Sequence, residues 1–167
     1  MPAESFPPIL DASARVLVLG SMPGVASLEA GEYYAHPRNA FWPIMGELFG
    51  ARPELSYATR RQKLIAARVA VWDVLRRCVR PGSLDAAIEP RSEVANDFRT
   101  LLARAPRIGR VLFNGQKAEA AFRKHALPTL DEPARDRLPL IRLPSTSPTH
   151  AGMSLDEKLA AWREAFA

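Results

Sequence analysis

Arg15-Val-Leu-Val-Leu-Gly20 is an uninterrupted apolar run closed by a glycine. It reads as a strand buried on both faces, because a strand with one wet face would alternate polar and apolar residues. The pattern returns in Val69-Ala-Val-Trp-Asp-Val-Leu75 and Arg110-Val-Leu-Phe-Asn-Gly115, and less regularly in Leu138-Pro-Leu-Ile-Arg-Leu143. Helical spacing fills the intervals. Phe41 to Phe49 carries apolar residues at helical period, with Pro43 tolerable only in a first turn. Tyr57 to Ala67 follows a candidate cap, Ser56. Glu93 to Arg104 follows Ser92, Gln116 to His125 follows Gly115, and Ser154-Leu-Asp-Glu157 is a capping box opening a last helix through Phe166. Strands alternating with helices predict an α/β fold with a parallel sheet covered on both faces. Right-handed crossovers bring the strand ends to one edge, and ligands of such sheets bind beyond it.

Composition narrows the class. The 167 residues suit one domain spanning 1–167. Apolar residues make up 47% and charged residues 25%, the balance of a soluble globular chain. No apolar run approaches the roughly 18–20 residues that cross a bilayer, and MPAESFPPIL lacks the basic-then-apolar layout of a signal peptide, so a cytoplasmic protein without membrane partners is expected. Cys78, the single cysteine, excludes an internal disulfide and any site needing several thiolates. The net charge is +5, the pI is about 9.9, and 19 of 23 basic residues are arginine. That balance favours polyanions, since neutralising phosphates releases counterions.

The unusual residues gather in the loops after the strands. The first loop runs Gly20-Ser-Met-Pro-Gly24 and continues to Tyr33-Tyr-Ala-His-Pro-Arg-Asn-Ala-Phe-Trp42. It lacks the Gly-Lys-Ser/Thr ending of a phosphate-binding loop, and it is long and aromatic for a strand-to-helix connection, where about 2–6 residues is usual. The second, Asn114-Gly115-Gln116, offers an amide that can donate and accept at once, as reading a base edge requires. The third, Leu143-Pro-Ser-Thr-Ser-Pro-Thr-His-Ala151, is stiffened by two prolines and carries hydroxyls suited to phosphates. Structural readings stand beside these. Asn39 could cap the helix that follows, Asn114 could finish a turn, Trp42 belongs to the core, and Tyr33 and Tyr34 divide evenly between wall and core. His36 shapes its loop, His125 decorates a helix end, and His150 bonds backbone. Asp73 stands inside an apolar strand, where a buried carboxylate needs a partner. Structural pairing and support of a site from behind are both open for it.

Taken in order, GSMPG, YYAHPRNAFW, FNG and PSTSPTHA resemble the uracil-DNA glycosylase superfamily, most of all its hypoxanthine-DNA glycosylase branch. Pro37–Trp42 is also similar to its counterpart in the mismatch-specific uracil and thymine glycosylases. The resemblance covers nearly the whole chain. It implies a three-layer αβα sandwich with a four-stranded parallel sheet, and a monofunctional enzyme that acts on DNA containing a deaminated or mispaired base. It implies a monomer with neither cofactor nor metal. Gly20, Ser21, Met22 and Pro23 would wall the base pocket together with Tyr34. Phe41 would stack on the flipped base, Asn114 would bind its edge, and Asn39 would be catalytic. Ser145, Thr146, Ser147, Pro148, Thr149 and His150 would grip the DNA strand or fill the vacated space.

The chain departs from the best-known uracil enzymes at Met22, where they carry aspartate and the thymine and mismatch enzymes carry asparagine. Its Ser145–His150 segment also replaces their His-Pro-Ser. These departures weigh against strong uracil excision and require the water-handling residue to lie elsewhere. Excision of uracil or thymine from mispairs with guanine stays open, as does a catalytically weak lesion-DNA-binding module. A lyase step is not expected, the nearest lysine to these loops being Lys117. An α/β hydrolase would need a Gly-x-Ser-x-Gly elbow, and the sequence has none.

Overall fold

The computed structural model describes residues 2–167. Strands β2 (Val16–Gly20), β3 (Val69–Asp73), β6 (Arg110–Asn114) and β7 (Leu140–Leu143) form one sheet in the order β3-β2-β6-β7, and each neighbouring pair is parallel. The alternating pleat divides β2 between two cores. Leu17 and Leu19 face Phe98, Leu101, Ala118 and Phe122, which come from α4 (Phe98–Arg104), α5 (Gln116–Ala121) and the π turn that extends it. Val18 faces the opposite way, toward Phe41, Ile44 and Met45 of α2 (Phe41–Phe49), Leu64 of α3 (Tyr57–Ala66) and Trp162 of α7 (Leu155–Phe166). Apolar demand on both faces is why these strands read as continuous runs. The result is the expected αβα sandwich.

Local chemistry sets the helix boundaries. Ser56 accepts from the Thr59 N–H, and Ser154 and Glu157 complete a reciprocal capping box. Pro43 falls in the first turn of α2, where its missing N–H costs nothing. Arg110 donates to the Ala165 carbonyl at 2.6 Å and so ties the last helix to the start of β6.

Four features depart from the sequence expectations. The run beginning at Val69 does not continue as one strand to Leu75. β3 ends at Asp73, and β4 (Leu75–Cys78) leaves for a separate antiparallel sheet with β1 (Ala3–Glu4) and β5 (Val94–Ala95). The helix expected from Glu93 begins only at Phe98, because Asp97, not Ser92, caps it by accepting from the Thr100 N–H. Glu93 is instead buried in an ion pair with Lys117 and a 2.7 Å contact with His125. Burial pushes the Glu93 carboxyl up, but hydrogen bonds from these partners outweigh it and hold the pKa below the usual value. His125 therefore does more than decorate a helix end. Two short helices were not foreseen: α1 (Val25–Ala30), inside the first loop, and α6 (Glu132–Arg137). None of the helices among the described residues is long and apolar enough to cross a membrane.

Candidate active site

The carboxyl ends of β2, β3 and β6 open into a cavity of about 310 Å³. Gly20, Ser21, Met22 and Pro23 form one wall, Tyr34, His36 and Asn39 a second, Asn114 part of the floor, and Ser145, Thr146, Ser147 and Thr149 a third wall. Its volume lies at the small end of ordinary ligand sites. Pro148 and His150 face an adjoining cleft of about 290 Å³, which shares Asn39, Thr146 and Ser147 with the first and adds Arg38 and Lys158.

One network joins the three loops. The Asn114 amide nitrogen donates to the Thr146 hydroxyl and its oxygen accepts from the Thr146 N–H, both at 2.9 Å. The Thr146 carbonyl accepts from Ala40 N–H at 2.9 Å, and beside it the Phe41 N–H donates to Asn39 Oδ1 at 2.9 Å. Asn39 is thus not the N-cap residue of α2, which is Ala40, but its side chain closes the turn that starts the helix. Capping duty and a place on the cavity wall coexist. Asn114 keeps one amide hydrogen and one lone pair for a ligand, half its capacity. Gly115, at φ 94°, lets the chain turn past Ser145, whose Cβ would lie 3.1 Å from any Cβ placed there.

The aromatic wall differs from the expectation. Phe41 does not reach the cavity: it is 0% exposed, stacked on Tyr34 at 4.1 Å and 23°, with Trp42 and Trp162 against its edges. Tyr34 is the ring at the surface of the cavity, and its backbone, at φ 55°, holds an uncommon left-handed conformation for a tyrosine. Burial raises the phenol pKa, the nearby Asp73 raises it further, and Asn114 opposes the shift. Tyr33 also borders the cavity but is buried, its hydroxyl donating to the Pro7 carbonyl at 2.9 Å and its own carbonyl accepting from Trp42 Nε1. His36 shapes its loop as expected, its Nδ1 accepting from Arg38 N–H. His150 is exposed.

A fourth loop, 80–87, was missed. Ser83, Leu84, Asp85 and Ala86 complete the rim. Arg80 fastens this loop to the first by donating to the Gly82 carbonyl at 2.8 Å and the Pro23 carbonyl at 2.6 Å. Ser83 accepts from Val25 N–H, and Ser21 donates to Asp85 Oδ1 at 2.6 Å. Only the Pro81-Gly82 turn signal marked this segment in the sequence. Leu84, 55% exposed at the mouth, is an apolar tip that solvent alone does not favour. Asp73 also belongs to the cavity and is almost wholly buried. Burial, then the charge of Asp85, pushes its pKa up to about 7 against the opposing pull of Arg80. Lys158, from the last helix, reaches toward the Ser147 carbonyl, and desolvation lowers its pKa. No group of three or more His, Cys, Asp or Glu side chains among the described residues is arranged to hold a metal ion.

The chain is similar to known proteins. The family description "Uracil DNA glycosylase superfamily" matches residues 7–166. A hypoxanthine DNA glycosylase of Methanosarcina barkeri is 36% identical over 119 residues, which make up 71% of this chain and 74% of that protein. One from Methanosarcina acetivorans is 34% identical over 116 residues, 69% of this chain and 72% of its own. The solution NMR structure of a Methanosarcina acetivorans protein, described as a candidate uracil DNA glycosylase, superposes with a TM-score of 0.75 at 29% identity, covering 98% of each chain. A sheet-edge cavity built by these loops, in a chain that matches the family from residue 7 to residue 166, makes this protein a member of the uracil DNA glycosylase superfamily.

Proposed function

We propose that this chain is a monofunctional DNA glycosylase that hydrolyses the N-glycosidic bond of a deaminated base, hypoxanthine foremost, after flipping it out of DNA. The observation that carries the reading is the convergence of Asn39, Tyr34 and Asn114, distant in sequence, on one cavity beside a hydroxyl-rich loop. The named activity of the two Methanosarcina relatives supports hypoxanthine as the base.

The geometry supports a role for each residue. Tyr34 offers a ring face for stacking, worth about 1–3 kcal/mol per base, and Phe41 backs it from the core. That gain offsets much of the few kcal/mol of unstacking, which is least where the base is already mispaired. Asn114 binds the base with its remaining hydrogen-bonding capacity while holding Thr146. Asn39 orients the attacking water beneath the sugar carbon; an amide cannot take a proton at neutral pH, but positioning alone lowers the barrier of a reaction in which the base departs and the sugar becomes oxocarbenium-like. Ser145, Thr146, Ser147 and Thr149 face the cavity, while Pro148 and His150 line the adjoining cleft with the cations Arg38 and Lys158, a path suited to the DNA backbone.

A panel of duplexes carrying inosine, xanthosine, uracil or a guanine–thymine mispair tests this, with alkali cleavage reporting abasic sites. Release is expected from inosine first and with chelator present. Strand breaks before alkali would show lyase chemistry and contradict the monofunctional reading. Uracil or thymine outpacing inosine would move the specificity to mispair repair.

A further inference from the structure

The sheet carries an anomaly at its working edge. β3 is apolar until it ends in Asp73, which is 3% exposed. The backbone there is already served, because Asn96 donates to the Asp73 carbonyl at 2.8 Å. Oδ1 stands over Gly20, where an added Cβ would lie 2.5 Å from it and 2.8 Å from the Tyr34 hydroxyl. Oδ2 is buried without a hydrogen-bond partner among the described residues. A partnerless buried carboxylate is among the costliest groups a fold can hold. It fits a structure that keeps this group for a ligand.

Burial and the charge of Asp85 favour the acid form, against the opposing pull of Arg80. Asp85 faces it from the fourth loop, and the Tyr33 and Tyr34 phenols face it from the first. His36 lies on the same cavity wall. Arg80 is a neighbouring cation that pulls the other way; its Nε and Nη2 donate to the Gly82 and Pro23 carbonyls, and its Nη1 is buried without a hydrogen-bond partner among the described residues.

A carboxylic acid presents one O–H donor beside one acceptor oxygen. Deaminated bases present the complementary pair, a ring N–H beside a carbonyl. We propose that Asp73 is a catalytic residue that pairs with this cyclic-amide edge, donating its O–H to the base carbonyl and accepting from the adjacent ring N–H. The proposal rests on the glycosylase reading and adds what senses the leaving group. As the bond between C1′ and the base nitrogen breaks, both electrons leave with the base and spread onto its carbonyl oxygen. A donor already aimed at that oxygen binds the departing anion more tightly than the intact nucleotide, as neutral carboxylic acids in apolar sites do for other oxyanions. Water adds to C1′, its surplus proton passes to solvent or to the freed base, and Asp73 keeps its own.

The test is the pH profile of single-turnover base release from an inosine duplex, from pH 5.5 to 9, for wild type, Asp73→Asn and Asp73→Ala. Thermal melting and duplex binding by fluorescence anisotropy report on folding. Wild type should lose activity above about pH 7, approaching tenfold per unit, as Asp73 ionises. Asparagine keeps a donor beside an acceptor and does not titrate, so its alkaline fall should vanish while its rate near pH 6 stays within about tenfold of wild type. Alanine should lose about 10²–10³-fold at pH 6. An alanine variant at the wild-type rate, or an asparagine variant with the same alkaline fall, overturns the assignment and leaves the glycosylase reading intact. Wild type that releases no base at any pH overturns both.

Discussion

Asn39→Ala removes a side chain with two jobs, and the structure lets them be separated. Its Oδ1 accepts from the Phe41 N–H at 2.9 Å, closing the turn into α2. Losing such a helix-start acceptor costs about 1 kcal/mol, and for a chain of this size each kcal/mol moves the melting temperature by about 2–4 °C. The same amide borders the cavity, where losing a well-placed polar group raises a barrier by about 3–4 kcal/mol, or roughly 10²–10³ in rate. The alanine variant should therefore melt a few degrees lower and release base hundreds of times more slowly. Asn39→Ser is the control, because its hydroxyl can close the same turn but carries no amide. It should recover most of the melting temperature and little of the rate. The assay is single-turnover release from an inosine duplex, read as alkali-labile sites, beside thermal melts of each variant. A serine variant with the wild-type rate would refute the catalytic assignment and leave Asn39 as a helix starter.

Gly20→Ala places a methyl 2.5 Å from Asp73 Oδ1 and 2.8 Å from the Tyr34 hydroxyl, so one cavity wall must move. Overpacking of this kind costs about 1–3 kcal/mol, and base release should fall more than tenfold; unchanged melting and rate would show that the wall is soft. Asp73 also bears on stability, since its pKa rises from 3.8 to about 7 on folding. Between those values the unfolded chain releases a proton that the native state retains, so the contribution of Asp73 to stability should fall as pH rises from 4 to 7 and level off above, by at most roughly 4 kcal/mol. Asp73→Asn should remove that slope, and denaturant melts of both proteins at pH 4 and pH 8 would contradict it if their difference did not change.

The parallel sheet was legible because strands buried on both faces have no choice but to be apolar, and four such runs separated by helical spacing leave few other folds. The site was legible in part. Asn39, Asn114 and the Ser145–Thr149 hydroxyls sit on loops that follow strands, and strand order alone brings those loops together. Both Tyr34 and Phe41 were expected at the base pocket, and only Tyr34 lines the cavity, because local pattern cannot tell which of two rings, seven residues apart, faces outward. That depends on the left-handed turn at Tyr34 and on Trp162 filling the space beneath. Loop 80–87 carries no aromatic or conspicuous polar motif, and its role comes from Arg80 and Ser83 clamping it to the first loop. Asp73 stood out as a carboxylate in an apolar strand, but only the structure reveals that Oδ2 has no hydrogen-bond partner among the described residues. The helix at 98–104 slipped because Ser92 and Asp97 are both acceptable caps, and the burial of Glu93 beside Lys117 and His125 selects the second.

The most direct test of the central claim is to identify what leaves the DNA. Folded protein incubated with an inosine-containing duplex and chelator should yield free hypoxanthine by mass spectrometry, one equivalent for each abasic site left in the strand. Folded protein that binds the duplex yet liberates no base from inosine, xanthosine, uracil or a guanine–thymine mispair would contradict it.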